Sequence, residues 1–333
     1  MNKGKSGIVF SLVAIAILGV LVFCITCNSG ETRATGFYMD TYVECTLYGR
    51  NSGEAKVRIE NMLDELDRLF DVTNQDSDVS KINAGAGEFV EVSEHTSYVI
   101  SEAKKIGELT GRALDITIYP VVKAWGFTTG ENRVPGPQEL SALVKTVDVS
   151  RIEVDEAGSR VKIPEGFMID LGAVAKGYAG DMIKEILEEC GVNRAIINLG
   201  GNIVCVGSKS MGRKWQIGIQ SPYEDRDIPG YVQVKDQAVV TSGLYERFFE
   251  ENGVKYGHIM NPYTGYPVDN GISSVTIISK DGLYADALST AIFVGGEELA
   301  EELRKSLNFE YVIFCGDGEV KTSEDAGYSY IVK

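Results

Sequence analysis

Between Asp170 and Asp181 the chain reads Asp-Leu-Gly-Ala-Val-Ala-Lys-Gly-Tyr-Ala-Gly-Asp, a strand end running into a helix whose first turns carry almost only small side chains. A helix of that kind either presses closely on a neighbouring element or leaves its backbone open to a ligand. Its N-terminus presents unpaired N–H groups at the positive end of the helix dipole, so with Lys176 alongside it suits a phosphate or carboxylate. Asp170 is a candidate acceptor for a polar ring edge or a sugar. The segment matches neither the Walker A pattern nor Gly-x-Gly-x-x-Gly. Tight helix-on-sheet packing with a solvated lysine explains it about as well.

The surrounding pattern limits the fold further. From Phe37 onward no Pro-, Gly- or Ser-rich linker, charge block or internal repeat divides the chain. Residues 41–47 alternate as a strand, and 54–70 read as an amphipathic helix with Val57, Ile59, Met62, Leu63, Leu66, Leu69 and Phe70 on one side. Helices are expected over 93–110, capped by Ser93, and over 137–147. A hairpin-like pair, 151–154 and 160–163, follows, then a strand over 167–171, a helix over 173–189 and a strand over 195–198. Further strands are expected near 203–206, 215–219, 231–240, 273–279, 310–315 and 328–332, with helices near 284–293 and 296–306. Helices and hairpins mixed in this way predict an α+β fold, a single catalytic unit of mixed sheets flanked by helices over 37–333.

The N-terminus addresses the protein rather than building it. Lys3 and Lys5 precede an almost unbroken apolar run, 8–26, after which Asn28, Ser29, Gly30 and Glu31 are polar. Residues 1–27 read as a lipoprotein-type signal, with Cys27 or Cys24 as the lipidated residue, or as a single uncleaved helix; 28–36 read as a tether. Positive charge on the short side keeps that end inside, which places the body on the extracytoplasmic face of the plasma (inner) membrane. Of 32 basic residues, all but Lys3 and Lys5 lie after Cys27, so the body sets 30 against 48 acidic residues, a balance of −18. Nucleic acid is excluded as a partner on that ground. Two histidines, and six cysteines whose one close pair, Cys24 and Cys27, sits inside an apolar run, exclude a zinc finger or an iron–sulfur ferredoxin. Cys45, Cys190, Cys205 and Cys315 are expected to be buried free thiols.

Four further motifs can carry chemistry. Asn198-Leu-Gly-Gly-Asn-Ile pairs glycines with amides after a strand, which fits a cofactor edge or a plain turn. Thr241-Ser-Gly-Leu-Tyr-Glu-Arg247 places hydroxyls at a strand end, with Glu246 and Arg247 read as structural. His258 lies in the loop Gly257-His-Ile-Met-Asn-Pro, where it is either a structural histidine or, with its near-neutral pKa, a general base. In Tyr284-Ala-Asp-Ala-Leu-Ser-Thr290, Asp286 and Thr290 are four residues apart on one helix face, two hard oxygen ligands suited to Mg²⁺. An N-terminal helix acid and a threonine bonding back into its own helix remain the alternative.

These motifs, in this order, together with Phe37-Tyr-Met-Asp-Thr41, Asp78-Val-Ser-Lys-Ile-Asn83, Gly111-Arg-Ala-Leu-Asp115 and 120–126, resemble the ApbE family of FAD:protein FMN transferases across essentially the whole body. The resemblance implies an exported enzyme that takes FAD as substrate, cleaves its diphosphate with Mg²⁺ and transfers FMN to a Thr or Ser hydroxyl of a protein, releasing AMP. It implies flavin contacts at Met39, Ala113, Leu114, Asp115, Asp170, Lys176 and Ile259, and metal contacts at Asp286, Thr290 and the backbone of Ala173. Catalytic roles fall to His258 as base and to Asp286 and Lys176. Acceptors would be flavoprotein subunits of membrane redox complexes. The chain departs from the family at Met39-Asp40-Thr41, where Met-Gly-Thr is usual, and at Phe70-Asp71-Val72-Thr73. Because the family includes members that split FAD with water, the alternatives are a Mg-dependent FAD diphosphatase and a non-catalytic flavin-binding lipoprotein.

Overall fold

The computed structural model describes residues 30–223 and 227–331. The signal or anchor expected over 1–27 lies outside them, and no helix among the described residues is long and apolar enough to cross a membrane. In chain order the elements are β1 (Glu31–Tyr38), β2 (Thr41–Tyr48), α1 (Ser52–Phe70), α2 (Asp78–Ala84), β3 (Val90–Glu91), α3 (Glu94–Leu109), α4 (Tyr119–Ala124), α5 (Pro137–Leu143), β4 (Glu153–Asp155) and β5 (Arg160–Lys162). Then follow α6 (Ala175–Glu189), β6 (Ala195–Leu199), β7 (Asn202–Val206), β8 (Trp215–Ile219), β9 (Gly230–Val234), β10 (Gln237–Gly243), β11 (Phe248–Glu251), β12 (Val254–Gly257), β13 (Ile272–Ser279), α7 (Gly282–Gly295), α8 (Glu297–Leu303), β14 (Phe309–Cys315), β15 (Val320–Thr322) and β16 (Ser329–Tyr330).

The frame is an eight-stranded sheet in the order β1-β2-β6-β7-β10-β13-β14-β15, antiparallel throughout. Alternation along β10 sends Ala238 and Val240 into the main core with α1, α3, α6 and α7, while Val239 faces a second core under the small sheet β16-β9-β8 with Trp215, Ile217 and Val232. The fold is α+β, as the pattern of helices and hairpins requires. A third cluster, Val121, Trp125, Leu140, Val147 and Met260, fills the space below α4 and α5.

Antiparallel register gives the sheet two distinct ends. At one end lie Glu31 opposite Tyr48, Leu47 opposite Ala195, Ala195 opposite Val206, and Cys205 opposite Gln237. At the other lie Tyr38 opposite Thr41, Leu199 opposite Asn202, and Gly243 opposite Ser274. The eight residues of β1 separate these ends by about 26 Å at roughly 3.3 Å per residue.

Several boundaries differ from the sequence reading. The tether expected over 28–36 becomes strand at Glu31, because the whole of β1 pairs with β2. Val57 is 55% exposed, and Ala55 takes its place on the buried side of α1. The strand expected over 231–240 is two: the chain turns at Asp236, with φ 54°, and β9 and β10 enter different sheets. Residues 167–171 form no strand; instead the Asn83 side chain stands in for a neighbouring strand, accepting from Ile169 N at 2.7 Å and donating to Ile169 O at 3.0 Å. The helix expected over 137–147 ends at Leu143 and tightens into a 3₁₀ turn, Val144–Thr146. Ser93 caps α3 as expected, accepting from Thr96 N at 3.0 Å. Cys45, Cys190 and Cys205 are buried free thiols, and Cys315 is free and half-buried.

Candidate functional site

The site is built where α6 meets α7. A Cβ on Gly177 would stand 2.2 Å from the Gly282 carbonyl oxygen and 2.6 Å from Asp286 Cβ, and one on Gly282 would stand 2.6 Å from Gly177 O. Only glycines allow the two helices this approach. Asp181 of α6 pins the start of α7: its Oδ1 accepts from Gly282 N at 2.9 Å and its Oδ2 from Leu283 N at 2.8 Å.

The contact also satisfies the first turn of α6: Gly177 N, one of the N–H groups at a helix start that have no partner within the helix, donates to Asp286 Oδ2 at 2.8 Å. Among the described residues no hydrogen bond ends on the Ala173 carbonyl. Asn202 Nδ2 donates to Asp286 Oδ1 at 2.9 Å; Lys176 Nζ lies 3.8 Å from the same oxygen and donates to Gly172 O at 3.2 Å. Asp286 is 3% exposed, and burial raises its pKa against the pull of Lys176, the Gly177 amide and Asn202. One turn on, Thr290 Oγ1 lies 3.3 Å from Ser242 Oγ, which lies 2.8 Å from Ser289 Oγ. Back-bonding within α7 is made by Ser289, whose Oγ donates to Asp286 O at 2.8 Å, so the Thr290 hydroxyl stays on the Asp286 face.

The other expected residues converge on the same end of the sheet. The half-buried His258 ring places Nδ1 3.1 Å from the Arg247 carbonyl oxygen. A carbonyl only accepts, so Nδ1 carries the proton and Nε2 keeps its lone pair. Burial pushes this imidazole down to about 4, partly offset by the Arg247 carbonyl bond and reinforced by the Arg247 and Lys176 charges, which leaves it neutral at pH 7. Asp170 accepts from Gly172 N at 2.8 Å; burial raises its pKa, while Arg247 and Lys176 draw it down. Asp170 N donates to Ile116 O at 2.9 Å, which draws the turn carrying Ala113, Leu114 and Asp115 alongside. Tyr263 OH donates to Gly111 O and Arg112 lies over the Tyr263 ring, so the loop after Ile259 closes on that turn. Met39, with φ 50°, turns β1 into β2 and donates from its N to Asp67 Oδ1 at 2.6 Å.

For some of these residues the structure narrows what the side chain can do. The Asp115 carboxylate is consumed inside the protein: Oδ1 accepts from Thr117 N at 3.0 Å and from Thr117 Oγ1, and Oδ2 accepts from Val149 N at 3.1 Å and Arg112 Nε at 3.2 Å. Its side chain shapes the turn, and any contact to a ligand comes from the backbone. Ala113, Leu114 and Ile259 are likewise buried, at 5%, 1% and 7% exposure.

Two groups take roles that the sequence does not signal. Asn202, within the Asn198–Ile203 motif read as a cofactor edge or a plain turn, orients Asp286 across 84 residues. Glu246, read as structural, keeps an exposed face but is crowded by protein near Lys176 and Asp286; that crowding pushes its carboxyl up to about 7, opposed by Lys176 and reinforced by Asp286. Gly200, at φ 63°, sits where a Cβ would come 1.9 Å from Thr41 Oγ1, so the β6–β7 turn packs on the β1–β2 turn as a structural joint.

Fold and site together define an α+β protein with a buried carboxylate held at a helix start beside a lysine, and a neutral imidazole, at one end of the sheet. Residues 39–313 match the ApbE family. The chain belongs to that family. It is 33% identical to a Vibrio cholerae protein named FAD:protein FMN transferase over 74% of this chain and 75% of that one, and 32% identical to one of the same name from Klebsiella pneumoniae over 86% and 92%. The crystal structure of the ApbE protein of Thermotoga maritima superposes with a TM-score of 0.83 at 33% identity, covering 89% of this chain and 97% of that one. The flavin transferase ApbE from Vibrio cholerae gives 0.79 at 29% identity, covering 89% and 98%.

Proposed function

We propose that this protein transfers FMN from FAD to a Thr or Ser hydroxyl of an acceptor protein, with Mg²⁺ as cofactor, and that it works tethered at the extracytoplasmic face of the plasma membrane on flavoprotein subunits of redox complexes. The observation that carries the reading is the buried Asp286 carboxylate held by the Gly177 amide at the start of α6 with Lys176 3.8 Å away. Asp286, Thr290 on the same helix face and the Ala173 carbonyl are oxygen ligands of the kind a hard divalent cation takes, beside a lysine suited to phosphate. Bound there, Mg²⁺ would offset charge developing on the diphosphate.

The chain's own groups supply the rest. Lys176 neutralises and orients the diphosphate, and the 113–115 and 39–41 turns wall the flavin. Nε2 of His258 takes the proton of the acceptor hydroxyl as its oxygen bonds to the FMN phosphorus. The bond from that phosphorus to the bridging oxygen breaks, and AMP leaves with the electron pair. Arg247 holds the imidazole in the needed tautomer through its carbonyl.

The test incubates the full chain with FAD and Mg²⁺, with and without a small acceptor domain bearing an exposed threonine, and reads AMP and acceptor mass together. A gain of one FMN matched by AMP supports the transferase. AMP produced equally without acceptor replaces it with the diphosphatase, and bound FAD without AMP in either tube leaves a binding protein.

A further inference from the structure

The loop between β7 and β8 departs from the character of the rest of the surface. In a body of net charge −18, residues 207–214 read Gly-Ser-Lys-Ser-Met-Gly-Arg-Lys, three cations and no acid. Residues 209–214 are exposed without interruption. At their centre Met211 is 94% exposed with φ 63°, a bulky apolar side chain held outward by a left-handed backbone. Arg213 bonds only within the loop, to Ser210 O at 3.3 Å and Ser210 Oγ at 3.4 Å, and among the described residues Lys209, Arg213 and Lys214 form no salt bridge. The loop is anchored by Gly207 N on Asp236 Oδ1 at 2.5 Å and by Trp215 Nε1 on Gly207 O at 3.1 Å, so its base is held at a fixed place.

That place is the end of the sheet where the chain enters. β7 ends at Val206 beside Ala195, which pairs with Leu47, next to Tyr48 opposite Glu31. The 29 residues that precede the described chain, with their apolar run, therefore join the body at the end that carries the loop, and the candidate site occupies the opposite end. Arg50 and Arg194 flank the same end. A cationic loop with an apolar tip suits an anionic lipid surface, where the tip enters the headgroup layer and the cations meet the phosphates.

We infer that Lys209–Lys214 is a membrane-contact loop that seats the chain-entrance end of the sheet on anionic phospholipid and turns the candidate site away from the bilayer. The inference rests on the tethered reading and adds an orientation to it.

The test reconstitutes the full chain into vesicles of phosphatidylcholine alone or with one third phosphatidylglycerol and follows amide hydrogen exchange against the same protein in detergent. Amides of 207–214 should slow severalfold in the anionic vesicles only, while those of 39–41 and 200–201 stay unchanged. Reversing Lys209, Arg213 and Lys214 to Glu should abolish the protection; a cation near an anionic surface contributes about fivefold in binding, so the three together exceed about 100-fold. Unchanged exchange in 207–214 on vesicles that retain the protein overturns the loop. Failure to float with neutral vesicles after a salt wash overturns the tether instead. The loop then requires salt-sensitive flotation on anionic vesicles that Met211→Ser weakens, and its absence overturns the loop as well.

Discussion

Asp286 accepts from the Gly177 amide and the Asn202 side chain and faces Lys176, and burial still holds its pKa above the ordinary carboxylate range. Replacing it by Asn keeps the shape and removes the charge. Asp286→Asn should lower Mg²⁺ affinity by at least about 100-fold by titration calorimetry while leaving the melting temperature within a few degrees, since loss of a buried charge offsets the lost bonds. His258 gives a pH prediction. A histidine in the unfolded chain binds a proton near pH 6.5, whereas the folded ring resists until about 4, so stability is unaffected above 6.5 and falls as pH drops from 6.5 toward 4. Urea midpoints at pH 7 and 5 should therefore differ less in His258→Gln than in the parent, and ring resonances of His258 that titrate near 6.5 would show that folding does not depress it and overturn this pH dependence. Lys176, Asp286, Thr290 and His258 stand out in the sequence as candidates because residue type and helical spacing are visible there. Asn202 and Glu246 do not, since their roles exist only once residues far apart in the chain meet. The role of Asp115 was misplaced because four donors, two of them from Thr117, satisfy its oxygens before any ligand arrives.

At the scale of elements, the paired glycines of α6 and α7 set the distance on which the site depends. Gly177→Ala forces a methyl group into the Gly282 backbone, and overpacking of this kind costs up to about 3 kcal/mol. The variant should unfold at lower denaturant and bind Mg²⁺ more weakly, and both effects should appear together because one contact carries them. A variant destabilised without loss of affinity would separate site from helix pairing. Long periodic elements such as α1 and α3 were read from sequence almost to their ends, because burial alternates with helical period and Ser93 marks a cap. The strand expected over 167–171 failed because a single side chain, Asn83, supplies the bonds that a strand would. The break between β9 and β10 failed because an Asp at positive φ, not a glycine or proline, makes the turn.

For the whole molecule, β1 is the outermost strand of the large sheet and pairs along its full length with β2. A chain shortened to begin at Gly30 should unfold with the cooperativity of the parent. Beginning instead at Phe37 removes most of β1, uncovers the β2 edge and should lower stability by more than about 2 kcal/mol, seen as an earlier thermal transition and a tendency to aggregate. The α+β architecture was legible because it depends on the order of helices and hairpins; the separation of the sheet into two functionally distinct ends was not, because it follows from register. The bond from Gly177 to Asp286 joins residues 109 apart. A ribosome must complete the chain past Thr290, and the sheet between must close, before any part of this pocket exists. The protein is therefore inert through synthesis, and the Asp286 cluster exists only once its last large helix has docked.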